Sequence, residues 1–105
     1  MKMVYDVIRK SPEFRKDFRL VGQVQDASVS SMSNIAEGFS RKGNREFIQF
    51  LFISKSSAAE VQSQLYVALD QGYINQDDFD KVYNQAEIVS KLDSGLIKYL
   101  QSQKQ

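Results

Sequence analysis

The sequence predicts an all-α fold, an antiparallel up-down four-helix bundle whose first helix is short. Three observations carry this expectation. A single proline, Pro12, interrupts 105 residues. Apolar residues recur at steps of three and four through almost the whole chain, the period of an amphipathic helix. The breaks between the periodic runs are short, so successive helices must run antiparallel.

The first helix is expected over residues 2–10, with Met1, Val4, Tyr5 and Ile8 on one side. Ser11-Pro12-Glu13 then stops it or starts a new turn. A helix of about three turns is marginal alone and must be held by packing. The second helix is expected over about 18–37. Leu20, Val24, Ala27, Ser31, Ile35 and Gly38 form its stripe, widened by Val21, Val29, Met32, Ala36 and Phe39. Gly38 is placed as its C-cap. Residues 40–45, SRKGNR, form a basic turn, with Asn44 or Ser40 capping the next helix.

The third helix is expected over 45–71. Phe47, Leu51, Ser54, Ala58, Val61, Leu65, Ala68 and Gly72 make a heptad seam, and Ile48, Phe52, Ala59, Tyr66, Leu69 and Tyr73 make a second stripe beside it. With Phe50 and Ile53 added, the start of this helix is apolar around much of its circumference. One stripe suffices for a surface helix. Phe50, Phe52 and Ile53 are therefore candidates for an interface with another copy of the chain. Gly72 ends the helix. Asp77 and Asp78 then favour the N-terminal dipole of a fourth helix, expected over 76–101. Phe79, Val82, Ala86, Val89, Leu92, Leu96 and Leu100 form its stripe, with Tyr83, Ile88, Ile97 and Tyr99 beside it. Gly95 lies inside this helix, where it marks a close contact. No internal repeat or domain boundary is visible, so residues 1–105 read as one domain.

Composition narrows function mainly by exclusion. Hydrophobic residues make up 42% and charged residues 26%, a globular balance. There is no cysteine and no histidine. This removes disulfides, thiol nucleophiles, the commonest general base and the commonest metal ligands. A carboxylate-bridged di-metal centre needs Glu-x-x-His pairs, and Glu37, Glu46 and Glu60 form none. No base accompanies Ser54, Ser56 and Ser57. Neither a Gly-x-Gly-x-x-Gly nor a Walker loop occurs. The expectation is a protein that is not an enzyme and needs no cofactor or metal. No apolar run reaches a membrane span and the start lacks a signal-peptide core, so a cytoplasmic location is expected.

The net charge of +1 hides an asymmetry, +4 over residues 1–55 and −3 over 56–105. Two basic clusters stand out. Arg9, Lys10, Arg15, Lys16 and Arg19 are interleaved with Phe14 and Phe18. Arg41, Lys42 and Arg45 form the basic turn. In an up-down bundle the two lie at opposite ends. Either they contact phosphates, or they are solvated loops beside acidic helices.

One stretch carries a resemblance. Ser33-Asn34-Ile35-Ala36-Glu37-Gly38-Phe39 precedes the basic turn. Glu46-Phe47-Ile48-Gln49-Phe50-Leu51, Gln64-Leu65 and Gly72-Tyr73-Ile74 follow it. Over about residues 18–100 this resembles the bacterial four-helix-bundle family encoded in intervening sequences of 23S ribosomal RNA genes, often labelled a ribosomal protein family. The accessory subunit of diversity-generating retroelements shares that fold. The resemblance implies a homopentamer, and a nucleic acid or a protein as partner. It implies structural roles for Asn34, Glu37 and Gly38. Relatives often carry a basic pair where this chain has Gln25-Asp26, and their first helix is usually longer. The expected function is a self-associating bundle that binds RNA or DNA through Arg41, Lys42 and Arg45, assisted by Arg15, Lys16 and Arg19. The alternative is a structural or protein-interaction adaptor.

Overall fold

The structure, a computed structural model, describes residues 1–103. These form five α-helices: α1 Lys2–Lys10, α2 Pro12–Lys16, α3 Phe18–Phe39, α4 Asn44–Asp70 and α5 Gln76–Gln101. The result is an elongated helical bundle measuring 50 × 21 × 17 Å. The long helices α3, α4 and α5 run up, down and up, and α4 packs against both of the others. The short α1 packs against α3 and α5. At about 1.5 Å per residue, its nine residues span roughly 13 Å, under half the length of α3. The bundle therefore has four helices at one end and three at the other.

Local sequence sets the helix ends. Pro12 starts a helix of its own, since proline is preorganised for the first helical position. The Ser11 hydroxyl accepts the Phe14 amide at 3.2 Å, and Asp17 accepts the Leu20 amide at 3.1 Å. Asn75 caps α5 by accepting the Asp78 amide at 2.8 Å. Gly72 has a positive φ of 74°. The Gly72 amide donates to the Leu69 carbonyl and the Tyr73 amide to the Ala68 carbonyl, a Schellman motif that closes α4.

Three expectations are corrected. Gly38 is not a C-cap. Helix α3 continues to Phe39, and Ser40 caps it. Gly38 instead admits α4: a Cβ there would meet Phe47 Cδ1 at 2.6 Å and Phe50 Cβ at 3.3 Å. Gly95 shows the reverse, with nothing within 4 Å of a Cβ. Asn44 is the first residue of α4, and Gly43 is its N-cap.

The core is split by a polar layer. The larger cluster joins Val4, Val7, Ile8 and Phe14 to the lower parts of the long helices, down to Leu65, Ala68 and Phe79. The smaller one holds Leu51, Ile97 and Leu100, with Ile35, Phe47, Ile48 and Leu96 packed on it. Between them lie buried Ser28 and Ser31 of α3, Ser54 and Ser57 of α4 and Asp93 of α5. The Ser54 hydroxyl donates to Asp93 Oδ2 at 2.6 Å, and the Ser31 hydroxyl donates to the Ser54 carbonyl at 3.1 Å. Asp93 Oδ1 has no partner among the described residues. Here the α5 register departs from expectation. Leu92, placed in the stripe by its polarity, is 60% exposed, whereas Asp93 is fully buried. Val82, Ala86, Ile97 and Leu100 fix the buried face of α5, and residue 93 falls on it whatever its polarity. Val29, Met32 and Phe39 of α3 are likewise exposed.

Packing makes two of the helical glycines, Gly38 and Gly95, respond oppositely to alanine. Gly38→Ala gains helix propensity but forces Phe47 aside, and overpacking of about 1–3 kcal/mol outweighs the gain. Gly95→Ala meets no obstacle and stabilises by up to about 1 kcal/mol. Thermal unfolding should thus move down for the first and up for the second. Burial pushes the Asp93 carboxyl above its ordinary value of 3.8, against the opposing effects of the Ser54 hydrogen bond and the Lys55 charge. The folded state holds this proton more tightly than the unfolded chain. The stability it contributes is fully present below about pH 4 and is lost as pH rises from there through the raised pKa. Asp93→Asn should remove that loss, seen as unfolding midpoints that no longer fall over this window.

Candidate nucleic-acid interface

The basic turn lies at the three-helix end, where α3 finishes and α4 starts. Its backbone is tied down. The Ser40 amide and hydroxyl both donate to the Glu37 carbonyl, at 3.2 and 2.7 Å, and the Arg41 amide donates to the Gly38 carbonyl at 3.1 Å. Arg41 acts as a brace across the turn. Its guanidinium donates to Glu37 Oε1 at 2.6 Å, lies 4.0 Å from Glu46 Oε2 and sits 4.9 Å above the centre of the Phe50 ring. Much of its charge is therefore matched by two carboxylates. Lys42 and Arg45 differ. Both are exposed, and neither makes an ion pair among the described residues.

A third cation belongs to this end. Lys98 lies in the last turn of α5. Arg45 and Asn44 share an open depression with Ile48, Leu100 and Gln101, which brings the start of α4 beside the end of α5. Lys98 stands apart from other basic residues in sequence, so no cluster announces it, although antiparallel pairing of α4 and α5 places it here. The amides in the first turn of α4 face the same end and add partial positive charge.

The second cluster lies at the four-helix end, as the up-down topology requires, so the two do not merge in one chain. Several of its members are engaged. Lys10 pairs with Asp78 at 2.7 Å, Arg9 pairs with Asp6, and the Arg15 guanidinium donates to the Arg9 carbonyl. Lys16 and Arg19 are exposed and make no ion pair among the described residues. The two interleaved phenylalanines part company. Phe14 is fully buried and stacks on Tyr73 at 5.5 Å, while Phe18 is 84% exposed. The Tyr73 hydroxyl donates to Asp17 Oδ2 at 2.9 Å, which raises the Tyr73 pKa.

The signature residues join elements together. The Asn34 amide donates to the Ser30 carbonyl at 2.7 Å and lies 3.2 Å from the Ser30 hydroxyl, which bonds Ser57 of α4 at 2.9 Å. Glu37 holds Arg41, and Gly38 admits Phe47. The candidate interface residues divide. Phe50 is half-buried beneath Arg41, while Phe52 is 50% and Ile53 47% exposed. A polar groove between α3 and α4 carries Asp26 and Glu60.

Chemically, this arrangement offers cations and hydrogen-bond donors to an anion. Buried Ser54 and Ser57 are committed to hydrogen bonds within the bundle. Among the described residues no cluster of acidic side chains is arranged to hold a metal ion, and no helix is long and apolar enough to cross a membrane.

Comparison with known proteins bears on the whole chain. A crystal structure of a protein of unknown function from the S23 ribosomal protein family of Bacteroides thetaiotaomicron superposes with a TM-score of 0.82 at 21% identity, covering 92% of this chain and 93% of that one. At that identity the likeness is one of fold. No curated protein matches in sequence. The family model described as 23S rRNA-intervening sequence protein matches residues 1–95. With the helical bundle and the Asn34-to-Gly38 signature already in place, the chain belongs to the 23S rRNA-intervening sequence protein family.

Proposed function

We infer that this protein is a non-enzymatic, self-associating helical bundle of the cytoplasm that binds RNA or DNA through its basic turn. The observation that carries this reading is the division of labour in the turn. Arg41 commits its charge to holding the loop against Glu37 and Glu46, and so presents Lys42 and Arg45 on a stiff support. A long cation held on a rigid element loses less freedom on contacting a phosphate than one on a mobile loop. One such turn is a weak site. Repeated around a ring of copies, a pentamer being the expected form, it becomes a continuous positive rim. Contacts of this kind go to phosphates and select sequence poorly.

Exposed apolar side chains support self-association. Met32 of α3, Phe52 and Ile53 of α4, and Ile88, Leu92 and Tyr99 of α5 are each 43–60% exposed. The same residues favour a second reading, an adaptor that captures a protein partner and binds no nucleic acid.

Fluorescence anisotropy with a structured RNA and a duplex DNA, at two salt concentrations and with mass checked by light scattering, separates the two. Under the first reading, binding falls steeply with salt. Lys42→Gln with Arg45→Gln then lowers affinity and reduces the log–log salt slope by about 0.7–0.9 for each phosphate no longer neutralised. Arg41→Ala weakens binding further by loosening the turn. No binding at low salt by a confirmed oligomer overturns this reading in favour of the adaptor.

A further inference from the structure

The corner between α2 and α3 contains an arrangement that folding does not explain. Phe18 has the highest exposure of the exposed large hydrophobic residues, 84%. The bundle already takes the other phenylalanine of this segment, Phe14, into its core. One helical turn after Phe18 stands Gly22, inside α3, where glycine costs about 1 kcal/mol relative to alanine. Close packing does not require it, because a Cβ at Gly22 would meet nothing within 4 Å. Helical side chains lean toward the N-terminus and cover the turn before their own Cα. A side chain at residue 22 would therefore lie beside the Phe18 ring. Glycine leaves that side of the ring open.

The support beneath the ring is rigid. Asp17 caps α3 through the Leu20 amide and accepts the Tyr73 hydroxyl, and Tyr73 stacks on Phe14. Exposed Lys16 and Arg19 stand before and after the ring in sequence, and neither pairs with a carboxylate among the described residues. An open aromatic face among cations matches one chemistry, a base with the phosphates on either side of it. Bases in a duplex have their faces covered, so the base must be unpaired. A lipid surface fits less well, because insertion needs a contiguous apolar patch. At this corner Phe18 stands among Glu13, Arg15, Lys16 and Arg19.

We propose that Phe18, with the open surface at Gly22 and the cations Lys16 and Arg19, is a stacking site for an unpaired base of single-stranded RNA or DNA. This rests on the nucleic-acid reading above and adds a second contact at the opposite end of the bundle, one that prefers single strands. Stacking on an aromatic side chain is tolerant of base identity, so the site reads strandedness and not sequence.

The test is anisotropy with labelled 12-nucleotide poly-U RNA and with a 12-base-pair duplex, using the full chain. The wild type should bind the single strand more tightly. Phe18→Ala should weaken single-strand binding about tenfold or more, leave duplex binding unchanged and keep the salt slope, since no charge is removed. Phe18→Trp should restore binding, and Phe18→Leu should not. Gly22→Leu should weaken binding as Phe18→Ala does. Thermal unfolding should be unaffected by Phe18→Ala, given the exposure of that side chain. If the wild type binds neither probe, the nucleic-acid reading fails and this site with it. If the wild type binds but Phe18→Ala or Phe18→Leu binds equally well, or the weakening is the same on duplex, the stacking site alone is overturned. Binding to anionic vesicles that depends on Phe18, with poly-U binding unchanged by Phe18→Ala, also overturns it.

Discussion

Helix α4 is the wall on which everything else is built. Its seam from Leu51 through Ser54, Ala58, Val61 and Leu65 to Ala68 is fully buried, and it packs against α3 on one side and α5 on the other. Two requirements follow. The seam must keep helical period along its whole length, and its residues must be small where α3 approaches closely. Ser54, Ser57 and Ala58 meet the second requirement at mid-height, and Gly38 meets it at the turn. The basic turn inherits its position from that close approach, because Gly38 lets Phe47 and Phe50 lie against the end of α3 and Phe50 lies under Arg41.

The polar layer imposes a cost at the centre of the bundle. A buried carboxylic acid with one oxygen unpartnered is destabilising compared with a leucine. What it supplies is register. Ser31, Ser54 and Asp93 come from three different helices and bond only when all three stand at the same height. An apolar layer would tolerate a slip of one turn, since the seams above and below are similar. Buried polar groups have fixed register in other helical assemblies in this way.

The two ends of the molecule use charge differently. At the turn, one arginine is sacrificed to structure and its neighbours are left exposed. At the α2 corner, Lys10, Arg9 and Arg15 are drawn into the fold by Asp78, Asp6 and a carbonyl, which leaves Lys16 and Arg19 beside an exposed ring. A count of basic residues treats the two clusters alike. Their partners separate structural cations from available ones. Between the ends, the α3–α4 groove carries the carboxylates Asp26 and Glu60.

Helical periodicity is a local property written directly into residue spacing. Although the five-residue α2 is too short to show a period, α1, α3, α4 and α5, their order and the seam of α4 were legible in the sequence. So was the placing of the basic clusters at opposite ends, since short connections force antiparallel neighbours. The glycines were legible only as breaks or contacts in general. Gly38 is a contact and Gly95 is not, and the difference lies in what stands opposite each, which no local pattern encodes. The same holds for Leu92 and Asp93. Polarity assigns the leucine to the core, but a helix turns as a rigid body, and the apolar residues on either side carry the aspartate inward. Phe14 and Phe18, one turn apart in spacing, are likewise equivalent until tertiary packing sets one against Tyr73 and leaves the other in solvent.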